Sequence, residues 1–136
     1  MKTVRILILE DDLRTLSSLL KAIDKLEENL LGEGKDIGVT VLSEFTQVEE
    51  YLNSSKANIY DVILLDRDCK AGGSFHVIDF NKYTIDKIIG ISSTPPYNEE
   101  LLKRGVKRII HKDYQVLDQF SEEVIFQIKD LLQLKS

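Results

Sequence analysis

The sequence predicts an α/β fold: a twisted parallel sheet, buried on both faces, with helices packed on each side. Three observations carry the prediction. Short apolar runs rich in β-branched residues recur along the chain, the pattern of strands that have no solvent face. Segments with a three- and four-residue hydrophobic period lie between them, the pattern of amphipathic helices. The two kinds alternate five times with no repeat, low-complexity stretch or linker, and right-handed crossovers then divide the helices over both faces.

Residues 4–9 read as the first strand, interrupted only by Arg5. Leu13, Leu16, Leu19, Leu20, Ile23, Leu26 and Leu30 form the apolar stripe of the first helix. Gly32, Glu33, Gly34, Lys35 and Asp36 lengthen the crossover to a second strand over 37–42. Thr46, with Glu49 three residues on, predicts the N-cap of a short helix carrying Val48, Tyr51 and Leu52. Residues 60–65 read as the third strand, and Phe75, Ile78 and Phe80 suggest a short third helix. Residues 85–91 make a fourth strand, 99–104 a helix stopped by Gly105, and 106–110 a weaker fifth strand. Val116, Leu117, Phe120, Val124, Ile128, Leu131 and Leu132 mark the core face of a long last helix.

With 136 residues, the chain predicts one domain over 1–136 with no second, output domain. At that size about 65–70 % of the unfolded surface can be buried, enough for a real core. An apolar fraction of 43 % beside 30 % charged residues excludes a disordered tail. The net charge of −5 offers no basic surface to nucleic acid or an anionic membrane. Cys69 is the only cysteine, so no intrachain disulfide forms and a reducing compartment is expected. The apolar run near the N-terminus is too short for a signal or a membrane span, which predicts a cytoplasmic protein. His76 and His111 lack metal spacing with any partner, and Cys69 carries no sign of a redox role beyond its neighbour Lys70.

In open sheets of this kind, ligands sit beyond the carboxyl ends of the strands. The first strand ends in Glu10, Asp11 and Asp12, and the third in Asp66, Arg67 and Asp68. The fourth ends in Ser92, Ser93 and Thr94, the fifth in His111, Lys112 and Asp113. Gathered on one sheet edge, the carboxylates repel unless something positive lies among them. A hard, oxygen-preferring dication, Mg²⁺ above all, answers that need. Lys112 adds a second positive charge for a carboxylate or a phosphoryl oxygen. Each residue also has a plainer reading. Asp11 and Asp12 can cap a helix, Asp66 can start a turn, Ser92 can lead into a helix, and Lys112 can be a solvated lysine. All four plain readings would have to coincide at four strand ends.

Four blocks in order resemble the response-regulator receiver family. They are Ile6-Leu7-Ile8-Leu9-Glu10-Asp11-Asp12, Tyr60-Asp61-Val62-Ile63-Leu64-Leu65-Asp66, Ile88-Ile89-Gly90-Ile91-Ser92-Ser93, and Gly105-Val106-Lys107-Arg108-Ile109-Ile110-His111-Lys112. The resemblance implies a flavodoxin-like doubly wound (βα)5 sandwich with strand order 2-1-3-4-5. It implies a two-component or phosphorelay switch with Asp66 as phosphoacceptor and Glu10 and Asp11 as the acidic pair that holds Mg²⁺. Asp68 would lend the metal its backbone carbonyl, Ser92 would hydrogen-bond the phosphoryl oxygen, and Lys112 would pair with it. Phosphoryl transfer and hydrolysis would be self-catalysed, with no other enzymatic turnover. The implied partners are a sensor histidine kinase or phosphotransfer protein, a downstream target protein, and a second copy of the chain on activation.

The chain departs from the family at several points. Asp113 stands where proline usually follows the lysine, Ile109 where an aromatic swings inward, and Lys70 where a proline is common. The departures at Asp113 and Ile109 support one alternative, a phosphorylation-independent pseudo-receiver that acts as a binding module. A second alternative is a Mg²⁺-dependent phosphotransferase built on the Asp66-Arg67-Asp68 motif. It would need a downstream acid pair and a cap, or leave Lys112 without a role.

Overall fold

In the computed structural model, residues 2–44, 47, 50, 59–66 and 85–134 are described. The expected helices around Thr46, Val48, Tyr51 and Leu52 and around Phe75, Ile78 and Phe80 lie largely or wholly outside these residues, as do Asp68, Cys69, Lys70 and His76. Five parallel strands form one sheet in the order β2-β1-β3-β4-β5, as expected. They are β1 (Lys2–Leu9), β2 (Lys35–Leu42), β3 (Val62–Leu65), β4 (Ile88–Gly90) and β5 (Arg108–Ile109). Among the described residues the helices are α1 (Leu13–Leu31), α2 (Pro95–Lys103) and α3 (Leu117–Leu132).

Alternation along each strand splits the core. Ile6 and Ile8, with Val62, Leu64, Ile89 and Ile91, pack against Leu19, Ile23 and Leu26 of α1 and Phe120, Val124 and Ile128 of α3. Leu7 and Leu9, with Ile63, Leu65 and Ile88, face the other way and meet Leu101 of α2. Successive strand side chains point to opposite faces, so residues 6–9 of β1 and all of β3 are buried on both faces, while Lys2 and Arg5 of β1 are exposed.

Several expected boundaries move. Residues 85–87 form a short 3₁₀ turn, and β4 begins only at Ile88, where it gains β3 as a partner. Lys35 and Asp36 belong to β2, paired with Lys2 and Thr3, so the crossover from α1 is a three-residue turn closed by Gly34 at φ 76°. Helix α2 starts four residues early, with Pro95 and Pro96 in its first turn, where missing N–H groups cost nothing. Leu13 and Leu20 leave the predicted stripe and are exposed, because the α1 contact is centred on Leu19, Ile23, Leu26 and Leu30. Val116 is likewise exposed, as the residue that precedes α3.

The register aligns the strand ends. Leu9 pairs with Leu65, Leu65 with Gly90, and Gly90 with Ile109, so these four residues form one row. The ladder continues past it: Asp66 N–H donates to Leu9 O at 3.3 Å, Ile110 N–H to Gly90 O at 2.8 Å, and Lys112 N–H to Ser92 O at 3.1 Å. Gly90 is needed at this edge. A Cβ there would lie 2.7 Å from Ile109 Cδ1 and 2.8 Å from Leu101 Cδ1, so its absence lets α2 and Ile109 close over the strand.

Candidate functional site

Counting by twos from the core positions places the acids. Glu10 follows Ile6 and Ile8, Asp66 follows Val62 and Leu64, and Lys112 follows Ile110, all on the face covered by α1 and α3. The three side chains meet there. Lys112 Nζ donates to Glu10 Oε1 at 2.8 Å and stands 3.2 Å from Asp66 Oδ2. Glu10, Asp66, Ser92 and Lys112 are all buried, and Lys112 is one of the largest fully buried side chains among the described residues. A lysine stem threaded through a dry core to reach two carboxylates is not a solvated surface charge.

The turn after β1 is built around Glu10. Its Oε2 accepts from the N–H groups of Asp11 and Asp12, each at 3.1 Å. Asp12 caps α1, its Oδ2 accepting from Thr15 N–H at 2.9 Å and from the Thr15 hydroxyl at 2.7 Å. Asp12 therefore takes the capping role, and Asp11 is left half-buried at the mouth of the site. One carboxylate oxygen from each of Glu10, Asp11 and Asp66 can be chosen so that all lie within 4.8 Å of one another.

These residues fit a hard dication. All three donors are carboxylate oxygens, the ligand class that Mg²⁺ prefers. With all groups charged, three negatives and one positive leave a net −2 in a buried site, which one dication would cancel. Glu10 and Asp66 already hold the Lys112 ammonium, so a cation entering past Asp11 would share those two acids with the lysine.

Ser92 lies beyond β4, with its peptide held from two sides. Asn98 Oδ1 accepts from Ser92 N–H at 3.3 Å, and Asn98 Nδ2 donates to Ser92 O at 3.0 Å. Ser92 Oγ accepts from Thr94 N–H at 3.1 Å. Asp113, the departure after the lysine, builds a turn into α3: its Oδ1 accepts from Gln115 N–H at 2.9 Å and its carbonyl from Val116 N–H at 3.2 Å. Lys112 reaches both acids with no cis peptide among the described residues.

Two neighbours of the site escaped the sequence reading. Asn98 sits in the first turn of α2 between Tyr97 and Glu99 and carries no motif. Tyr114 lies over the lysine, with Lys112 Nζ 5.2 Å from its ring centroid, a cation–π distance. An aromatic two residues past a candidate lysine was the available signal. Burial raises the Tyr114 phenol, an effect that Lys112 and Ser93 only partly offset. Burial also works against the Lys112 charge, but Asp66 and Glu10 together outweigh it, so the ammonium titrates above its ordinary 10.5.

Both shifts are upward, so the folded chain holds these protons more tightly than the unfolded chain does. The stability they contribute is complete below the unfolded values and is lost as pH rises through the folded ones. Urea unfolding of metal-free protein should therefore show no loss from these two groups between about pH 7 and about pH 10, then a decline above it. Lys112→Met should remove the lysine's share of that alkaline slope. An unchanged slope would place the lysine in water.

No protein-family model matches the chain, and no curated protein matches it. Among solved structures it is similar to the bacteriophytochrome response regulator AtBRR, with a TM-score of 0.63 at 18 % identity. The match covers 100 % of this chain and 96 % of that one. At that identity the likeness is one of fold: this chain has the flavodoxin-like fold of a response-regulator receiver. No helix among the described residues is long and apolar enough to cross a membrane.

Proposed function

We propose that the chain is a phosphorylation-dependent signalling switch that accepts a phosphoryl group on Asp66. The observation that carries this reading is Lys112, buried between Glu10 and Asp66 at the strand ends of a receiver-type fold. In the proposed step an Asp66 carboxylate oxygen attacks phosphorus, a new P–O bond forms, and the bond to the leaving group breaks. Glu10, Asp11 and Asp66 would hold Mg²⁺, which supplies positive charge opposite the transferring oxygens, with the Asp68 carbonyl as a further ligand. The Lys112 ammonium would turn part of its bonding from Asp66 to a phosphoryl oxygen, and the Ser92 hydroxyl would donate to another. The added charge of about −1.5 to −2 would then bias a two-state element near Ser92.

The donor would be a histidine kinase or phosphotransfer protein, and the signal would pass by contact to a target protein or a second copy. The chemistry would stop at self-catalysed transfer and hydrolysis, in a cytoplasmic setting.

The test is intact mass after incubation with acetyl phosphate, with and without Mg²⁺, beside Asp66→Asn. One added phosphoryl group that requires Mg²⁺ and disappears in the variant is the expected result, with acetate as the leaving group. An adduct that survives in Asp66→Asn would assign the wrong acceptor. No adduct, together with no Mg²⁺ binding by titration, would favour the phosphorylation-independent binding module, for which Ile109 and Asp113 are the supporting departures.

A further inference from the structure

Helix α2 begins without the usual side-chain cap. Thr94 makes no capping bond, and Pro95 and Pro96 contribute no N–H groups to the first turn. Asn98, buried at 6 % exposure, ties this turn back to the sheet edge, beside the Thr94 N–H that donates to Ser92 Oγ. Its amide reads the Ser92 peptide in both directions, accepting from the N–H at 3.3 Å and donating to the carbonyl at 3.0 Å. The same carbonyl accepts from Lys112 N–H at 3.1 Å. Ser92 is thus the junction at which α2 and the Lys112 segment are bonded to one peptide group.

The second link between α2 and β4 is apolar. Leu101 rests against the bare Cα of Gly90, in space that a Cβ would fill. Apolar contact is non-directional and lets a helix slide, whereas a two-bond amide clamp fixes both distance and orientation. If the Ser92 peptide shifts, Asn98 must either follow or leave buried polar groups unpaired on both sides, and following costs less. Helix α2 carries half-exposed Leu102 on its outer side, so movement of the helix changes an exposed surface.

We propose that Asn98 is a positioning residue that couples Ser92 to helix α2, so that engagement of the Ser92 hydroxyl by a phosphoryl group on Asp66 is carried into Pro95–Lys103. This rests on the phosphoryl-acceptor reading above.

The test is amide hydrogen exchange on the full chain, with Mg²⁺ and beryllofluoride as a stable stand-in for the phosphoryl group. In the wild type, exchange should change both at 92–94 and across 95–103. In Asn98→Ala the change at 92–94 should persist, while that across 95–103 falls below about a third of the wild-type change. Mg²⁺ affinity should stay within about twofold, because Asn98 touches none of the three acids; a general loss of structure would move both readouts. Should Asn98→Ala fail to fold, Asn98→Asp decides, since it keeps the acceptor for Ser92 N–H and loses the donor to its carbonyl. Its α2 response should be reduced.

A wild-type response in α2 of a folded Asn98 variant overturns the coupling while leaving the acceptor reading intact. A wild-type response confined to 92–94 does the same. No response to beryllofluoride anywhere in the wild type defeats the acceptor reading and this proposal with it.

Discussion

Lys112→Met is expected to destabilise the metal-free protein by about 3–5 kcal/mol, the scale of a buried ion pair that loses one partner. The substitution keeps most of the side-chain volume, so little of the loss comes from a cavity. What remains is electrostatic: Glu10 and Asp66, both buried, face each other without the ammonium that stands 2.8 Å from one and 3.2 Å from the other. Mg²⁺ should rescue the variant, and stabilise it more than the wild type, because the cation no longer shares the two acids with a lysine. Urea unfolding with and without Mg²⁺ reads both effects. A loss under about 1 kcal/mol would mean that the pair is solvated and the site open. On the proposed acceptor role of Asp66, phosphoryl uptake from acetyl phosphate should also slow by about 10²-fold, the usual effect of removing one charge-stabilising group.

Asp11→Asn should separate stability from metal binding by moving them in opposite directions. The chosen carboxylate oxygens of Glu10, Asp11 and Asp66 lie within 4.8 Å of one another, and at that outer limit two unit charges repel by about 3.5 kcal/mol at an effective dielectric near 20. Asp11 is half-buried, so water screens much of this, and a gain of about 1 kcal/mol in metal-free stability is expected. The amide keeps a similar shape and offers one weaker oxygen donor, so Mg²⁺ affinity should fall at least about tenfold. Lower stability in the variant would show that Asp11 makes a structural bond outweighing the repulsion. Unchanged Mg²⁺ affinity would remove Asp11 from the ligand set. The contrast with Lys112→Met follows from burial and sign: one change strips the counter-charge from two buried acids, and the other removes an acid from a crowd.

Together the two variants test whether Lys112 and a dication compete for Glu10 and Asp66. Glu10 is the shared element, because one of its oxygens holds Lys112 while the other accepts from the N–H groups of Asp11 and Asp12. It couples the backbone turn at the head of α1 to the lysine from the far edge of the sheet. Tyr114 covers that lysine from outside at 5.2 Å.

Much of this was legible in the sequence. Apolar runs in 4–9 and 60–65 mark strands with no wet face, and parallel strands with helical crossovers put Glu10, Asp66, Ser92 and Lys112 at one edge. The period of two also decides the face, since Glu10, Asp66 and Lys112 each stand an even number of residues from a buried Ile, Leu or Val. Such patterns are local, and chain geometry alone converts them into placement.

Tertiary structure decided what local pattern could not. Leu13 and Leu20 fit the helical stripe yet remain exposed, because the sheet contacts only part of that stripe. Residues 85–87 are as apolar at Ile85 as a strand start, but a strand exists only where a partner lies beside it, and β3 pairs from Ile88 onward. The aim of Lys112 is set by the register of β4 with β5 and by acids 46 and 102 residues away in the chain. Asn98 carries no signature of its own, and Tyr114 only its place two residues past Lys112. They matter through the peptide group and the ammonium they meet, and those meetings exist only after the chain has folded.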